Sequence, residues 1–203
     1  MNNLIKVLVI CLLLASCKAL PEANYGKLIY KWSKSRTISD IINYDAPVSL
    51  YLNEDHNDNL SLSDSILKIN STLSYLTNYK LFKSYGIAGR KYKVTLYGIC
   101  DCYGFRKYLF KPLLAIYDSE GNLIATQIVR HDIIMFTSEY SHTLPFHTDL
   151  EWEFTLQKTG DFKIVVFSYN EGIGNGTKDK DLIQYPGYSF NIVGDFMIAI
   201  QEE

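Results

Sequence analysis

No hydrophobic run in this chain is long enough to cross a bilayer. The longest, residues 7–15, spans about nine residues, where a transmembrane helix needs roughly twenty. A mean hydropathy of −0.04 likewise excludes a polytopic membrane protein. Neither sign of charge is in excess: 20 Lys and Arg stand against 22 Asp and Glu. The clustered basic face of a general nucleic-acid binder is therefore missing, and no nucleic-acid partner is expected. There is no long apolar stripe of helical period and no internal repeat. The four cysteines contain one close pair, Cys100 and Cys102, so a thiolate zinc centre lacks its second pair of ligands.

Catalytic signatures are missing too. Gly187-Tyr188-Ser189-Phe190-Asn191 lacks the closing Gly of a nucleophile elbow. The glycine-rich stretch from Gly172 to Lys178 ends Gly-Thr-Lys, not Gly-Lys-Ser/Thr, and runs into Asp179-Lys180-Asp181 instead of a helix. It reads as a flexible connection at a binding edge, not a phosphate loop. Asn53 to Asn59 alternates oxygen ligands at Asp55, Asn57 and Asn59, yet Leu60 and Ile66 stand where an EF-hand needs Gly and Glu. A hairpin turn is the expectation there, with a sandwich-loop calcium site as the alternative. No cofactor is expected, and the protein reads as a non-enzyme.

What is present points first to location. Lys6 followed by the apolar run has the form of a secretory signal. Leu14-Ala15-Ser16-Cys17 is similar to the bacterial lipobox, in which a Cys is acylated and becomes the mature N-terminus. That similarity implies a signal peptide over residues 1–16, a lipidated Cys17 carrying palmitate-type chains, and a polar tether over residues 17–26. Cleavage near Ala19 by an ordinary signal peptidase is the alternative. Lys18 after the Cys, by the same similarity, implies the outer membrane, with the domain facing the periplasm. Several acyl chains anchor a protein stably, since each buried CH₂ contributes about 0.8 kcal/mol.

The rest of the chain, residues 27–203, reads as one domain. The whole chain, with 47% hydrophobic residues, 16 Tyr and 10 Phe, is long and apolar enough to bury a core. Strand alternation recurs: Tyr92, Val94 and Leu96 share one face, as do Trp152, Phe154 and Leu156. Glu151 and Glu153 fall on the opposite, solvent face, where repulsion keeps them wet. Residues 162–169 are apolar on both faces and read as a central strand. Further strands are expected at residues 47–52, 65–69, 79–85, 111–117, 123–129 and 196–200, the last closing the sheet. One short helix is expected at residues 38–44, capped by Ser39 or Asp40. Turns fall at Asp118 to Asn122 and at Thr159-Gly160-Asp161. The fold class is all-β: an antiparallel β-sandwich or jelly-roll-like domain.

Three groups are candidate sites. Cys100 and Cys102, at the end of the strand from Lys91, can form a local disulfide in an oxidising compartment. Two free thiols are the alternative. Tyr97, Tyr103 and Tyr108 flank that pair and could stack on sugar rings, although aromatics in a sandwich mostly fill its core. Glu139, His142, His147 and Asp149 form a string of possible zinc or copper ligands, though surface polar residues of this kind are usually only solvated.

The stretch from Lys80 onward resembles the maltose-operon periplasmic protein family. The run Phe110-Lys111-Pro112-Leu113-Leu114-Ala115-Ile116-Tyr117-Asp118 is similar to its F-x-P-x-x-x-x-L/Y-D segment. Leu150 to Leu156 is similar to its L-E-x-x-F/L-x-L strand, and residues 162–169 with Tyr185-Pro186 to a later strand and its His-Pro. The family's Ala-rich segment after that His-Pro is missing. The resemblance implies a periplasmic accessory to carbohydrate uptake, with no catalytic residues to carry over. The expected function is a lipid-anchored binding or accessory protein for a glycan. A structural interaction subunit of a cell-envelope assembly, with an envelope protein as partner, is the alternative.

Overall fold

The computed structural model describes residues 21–69, 75–101, 107–126, 132–135, 146–168, 170 and 188–203. Its helices are α1 (Pro21–Ile29) and α2 (Ile38–Tyr44), separated by a 3₁₀ turn at Trp32–Lys34. The strands, in chain order, are β1 (Val48–Ser49), β2 (Asp55–Leu60), β3 (Ile66–Ile69), β4 (Tyr75–Gly86), β5 (Lys91–Asp101), β6 (Lys107–Phe110) and β7 (Pro112–Tyr117). They continue as β8 (Leu123–Thr126), β9 (Asp132–Met135), β10 (Phe146–Thr155), β11 (Gly160–Ser168), β12 (Tyr188–Asn191) and β13 (Gly194–Glu202). No described helix is long and apolar enough to cross a membrane.

Two sheets face each other. The first has the order β1–β4–β11–β7–β8, with β3 also paired to β4. In the second, β5 lies between β10 and β13, β9 pairs beyond β10, and β2 pairs beyond β13. At the far end of β5, β6 pairs with Cys100 and Asp101 and carries β12 beside it. Most pairings are antiparallel, as expected of a sandwich, but β1–β4 and β6–β12 are parallel. The strand expected to close the sheet, β13, is interior among the described strands, and the acidic β2 takes the edge.

The alternation read from sequence decides what faces the core. Tyr92, Val94 and Leu96 of β5 are fully buried between the sheets, opposite Phe162, Ile164 and Val166 of β11. Tyr92, Phe154 and Phe162 meet in tilted and edge-on ring contacts within this cluster, and Phe82 meets Phe196 edge-on in the same cluster. β11 is central, as its two-sided apolarity predicts, because the other face of its sheet is covered as well. Val165 and Phe167 of β11, with Leu113 and Ala115 of β7, pack under Ile41 and Ile42 of α2. Each such side chain contributes about 1.5–3 kcal/mol when fully buried, so this packing outweighs the helix cap, which contributes about 1 kcal/mol.

The cap itself is Thr37, not Ser39 or Asp40. The Thr37 hydroxyl accepts from the Asp40 N–H at 3.3 Å, and the Asp40 carboxylate accepts from the Thr37 N–H at 2.9 Å. Asp40 is thus the third residue of a capping box. At the other end of α2, the Asp45 carboxylate takes hydrogen bonds from the Arg36 guanidinium and the Tyr79 hydroxyl. Arg36 also joins β3 through backbone bonds of 2.9 Å to Ile66 and Lys68. The solvent-face glutamates of β10 do not stand as a repelling pair. Lys93 holds Glu151 at 2.6 Å, and Lys91 holds Glu153 at 2.6 Å and Glu203 at 2.7 Å.

The tether expected over residues 17–26 is structured in its described part. From Pro21 the chain is helical, and Leu28 of α1 is fully buried against Ile66, Leu76 and Ile192. The Leu76 N–H donates to the Tyr25 hydroxyl at 3.4 Å. A periodic pattern of three apolar residues in nine is too short to announce such a helix.

Burial holds the phenols of Tyr79 and Tyr117 up at about 12, and for Tyr79 the bond to Asp45 adds to it. A phenol whose folded pKa exceeds its unfolded value of about 10 contributes stability below pH 10 and loses it as pH rises towards 12. The urea midpoint should therefore fall between pH 10 and 12. Tyr79→Phe, though less stable at pH 8, should lose less over that interval. High salt damps the exposed Lys91 and Lys93 pairs, which act in the same direction. An equal slope in the variant would refute the role of Tyr79.

Candidate functional site

A cleft of about 440 Å³ opens at the end of the sandwich where α1, the end of β2, β6 and the start of β13 converge. Its floor is apolar, formed by Leu60 and Phe110, both buried. Its polar lining comes from Asn24 of α1, Asn59 and Ser61, Tyr108 of β6, Asn191 and Asp195. The Asn59 amide donates to the Asp195 carboxylate at 2.6 Å, which holds both groups on one wall. Asn191 is turned by accepting from the Ile192 N–H at 2.9 Å.

Close backbone approaches seat β6 here. A side chain at Gly98 would stand 2.2 Å from the Phe110 carbonyl oxygen, and one at Gly194 would stand 2.7 Å from the Phe110 Cβ. The Thr148 hydroxyl donates to the same Phe110 carbonyl at 2.8 Å. Only glycine at both positions lets β6 lie so near β5 and β13. That seating brings Tyr108 to the cleft, where its hydroxyl is buried with no hydrogen-bond partner among the described residues. A buried hydroxyl left unpaired costs about 1–3 kcal/mol, so it calls for an acceptor or donor.

A second cleft, of about 500 Å³, lies between the Asp118 to Asn122 turn, β8 and β10. The indole N–H of Trp152 is buried there without a partner. The Asp118 carboxylate is already engaged by the N–H groups of Glu120 and Asn122, at 2.9 and 2.8 Å. Burial pushes the Asp118 carboxyl up, but the Asn122 side-chain amide, donating at 3.0 Å, outweighs it together with those N–H groups and holds the carboxyl below the usual range. This cleft has one orphan donor and no free convergent set.

The expected sites fare unevenly. Tyr97 and Tyr108 are only 5% and 4% exposed, so neither offers a ring face for stacking on a sugar. Both are buried at the end of the sheet, where Tyr108 contributes a hydroxyl in place of a ring face. Tyr103 lies outside the described residues. Cys100 is disulfide-bonded, while Cys102, Cys17 and Cys11 lie outside the described residues. Glu139 and His142 lie there too, as does the Gly172 to Lys178 stretch. His147 and Asp149 are two residues apart on β10, opposite Ile99 and Tyr97.

The segment from Asn53 to Asn59 is neither a hairpin turn nor a gathered calcium loop. Only Asn53, with φ at 63°, turns the chain, and Asp55 onward is strand β2. Same-face strand positions stand about 6.6–7 Å apart, which spreads Asp55, Asn57 and Asn59. His56 packs edge-on against Phe82 at 5.6 Å, and Asp58 pairs with Lys80 at 3.3 Å. Among the described residues no group of three His, Cys, Asp or Glu side chains could hold a metal ion. Asn24, Ser61 and Asp195 were not singled out as site residues from the sequence, and Asn59 and Asn191 were read in other groupings, since the gathering of all five depends on strand order.

No protein-family model and no curated protein matches the chain. Among solved structures, it is similar to the pre-peptidase C-terminal domain of a collagenase from Bacillus anthracis, with 10% identity and a TM-score of 0.37 over 76% of this chain and 94% of that one. It is also similar to CorA, a surface-associated copper-binding protein of Methylomicrobium album BG8, with 9% identity and a TM-score of 0.42 over 78% and 98%. The periplasmic lysozyme inhibitor PliG of Salmonella Typhimurium shows 11% identity and a TM-score of 0.31 over 77% and 98%. These are distant likenesses, and nothing about ligands passes from them to this chain.

Because its hydroxyl has no partner, Tyr108→Phe should leave the unliganded protein as stable as before, or more stable by up to about 3 kcal/mol. Urea unfolding measures this. A loss exceeding about 1 kcal/mol would mean that the hydroxyl is bonded after all.

Proposed function

We propose that this protein is a non-catalytic, extracytoplasmic binding module, anchored through an acylated Cys17, that takes a small polyhydroxylated ligand of the glycan class in the cleft between α1, β2, β6 and β13. The observation that carries the reading is the buried, unpartnered Tyr108 hydroxyl in a lining of amides, a hydroxyl and a carboxylate. Amide and carboxylate groups match sugar hydroxyls, each of which both donates and accepts. An apolar floor beneath a few convergent polar groups is the ordinary form of a small-molecule site. The strongly shifted groups, Tyr79, Tyr117 and Lys91, belong to packing and to surface pairs away from this cleft. That distribution favours binding over catalysis.

The carbohydrate part of the reading also rests on the resemblance to the maltose-operon periplasmic family. Its described motif residues lie on or next to β7, β10, β11 and the end of β6, so they describe framework; among them Phe110 alone lines the cleft. The envelope-subunit alternative would show an apolar surface patch or an open strand edge. The β2 edge is blunted by Asp55, His56 and Asp58, as edge strands that avoid partners commonly are.

A thermal-shift screen of the chain against maltodextrins and peptidoglycan fragments tests the ligand. At a hundredfold excess over Kd, binding should raise the midpoint by about 5 °C or more. Tyr108→Phe or Asn59→Ala should shrink the shift. No shift with any sugar, or a shift indifferent to both variants, would transfer support to the envelope-subunit reading.

The anchor has its own test. Labelled palmitate should be incorporated into the wild-type chain and not into Cys17→Ala, and the variant should leave the membrane fraction. A variant that stays acylated would overturn the assignment of Cys17.

A further inference from the structure

We infer that the segment from Lys27 to Arg36 is a docking surface for an anionic phospholipid bilayer. Where α1 ends, the chain exposes three large apolar side chains in four positions: Ile29 at 52%, Tyr30 at 92% and Trp32 at 47%. Around them stand Lys27, Lys31, Lys34 and Arg36, and no acidic residue occurs between Glu22 and Asp40. The whole chain carries a net charge of −2, so this stretch runs against the balance of the rest.

The cations keep their charge for an external partner. Lys31 donates to the neutral Leu62 carbonyl at 2.8 Å, and Lys68 of β3 sits 4.9 Å over the Trp32 ring. Arg36 alone is committed, to Asp45. Tyr and Trp rings with a polar handle and an apolar body belong at a membrane–water boundary. Lysines beside them attract anionic headgroups and keep their stems on the apolar side. An aromatic cluster facing a second protein would be less rich in lysine, since interface cores are depleted of Lys.

The chain's path adds a bound on distance. From Cys17 to Pro21 a fully extended backbone reaches about 14 Å at most. If Cys17 is acylated, α1 therefore starts within about 14 Å of the lipid surface. That step rests on the anchor reading above, whereas the charge and exposure argument stands without it.

The test uses a chain begun at Lys18, which has no acyl chain. Every member of the three described apolar clusters lies at Tyr25 or beyond, so this chain keeps the whole described core. It should sediment with vesicles of phosphatidylcholine and phosphatidylglycerol at low ionic strength, and release in high salt. Trp emission should shift to the blue on binding, and Trp32→Phe should abolish the shift. Neutralising Lys27→Gln or Lys34→Gln should weaken binding about fivefold each, with the thermal midpoint unchanged. Absence of binding, equal binding to phosphatidylcholine alone, or indifference to both lysine variants would each overturn the inference. None of these outcomes depends on whether Cys17 is acylated.

Discussion

The structure turns on one requirement: the sheet of β4, β11 and β7 must hide apolar side chains on both faces. Ile164 and Val166 of β11 point to the second sheet while Val165 and Phe167 point away from it. A sandwich of two sheets alone would leave that second set in water. α2 answers the need with Ile41 and Ile42, and everything that fixes α2 follows. The Thr37 capping box starts it, the Arg36–Asp45–Tyr79 cluster ends it, and the Lys163 ammonium donates to the Ile42 carbonyl from the sheet below. The polar groups at this interface are therefore the framing of an apolar contact, and their shifted phenol is a by-product of burial.

The second sheet solves the opposite problem. Its inner face is apolar, but its outer face carries charge, and the register of β5 against β10 brings unlike charges together. Glu153 lies across from Lys93 and Thr155 across from Lys91, so Lys91 and Lys93 each reach a glutamate diagonally. Pairs this exposed contribute only about 0–1 kcal/mol each. Their value lies in the register they select, because a slip of one residue would turn every charged side chain towards Tyr92, Val94 and Leu96.

How far the sequence could be read depended on where the determining contacts lie. Strands with a local signature were legible: the alternation of β5 and β10, the double apolarity of β11 and the short helix α2 all report burial by residue spacing. β2 was not, since Asp55-His56-Asn57-Asp58-Asn59 has turn composition and becomes a strand only because β13 offers it a partner. The interior place of β13 was hidden for the same reason. Residues 21–26 of α1 were read as tether because one buried side chain beyond them, Leu28, carries most of the docking. The stacking role given to Tyr97 and Tyr108 failed because aromatic content does not say which rings face out. The cleft residues, drawn from five separate stretches of chain, had no spacing to betray them.

α1 links the two surfaces proposed for a ligand and for a bilayer. Its buried side holds Leu28 in the core and places Asn24 in the wall of the cleft. Its C-terminal end presents Lys27, Ile29 and Tyr30 to the outside. Asn24 and Lys27 are three residues apart, which in a helix separates them by less than one turn. Any force that lifts the exposed end of α1 must also strain the Leu28 contact and the Tyr25 bond to Leu76. The wall of the cleft and the outward face of the helix are thus parts of one rigid turn. A bilayer held by that face would lie beside the mouth of the cleft, and ligand entry and membrane contact would be decided by the seating of the same nine residues.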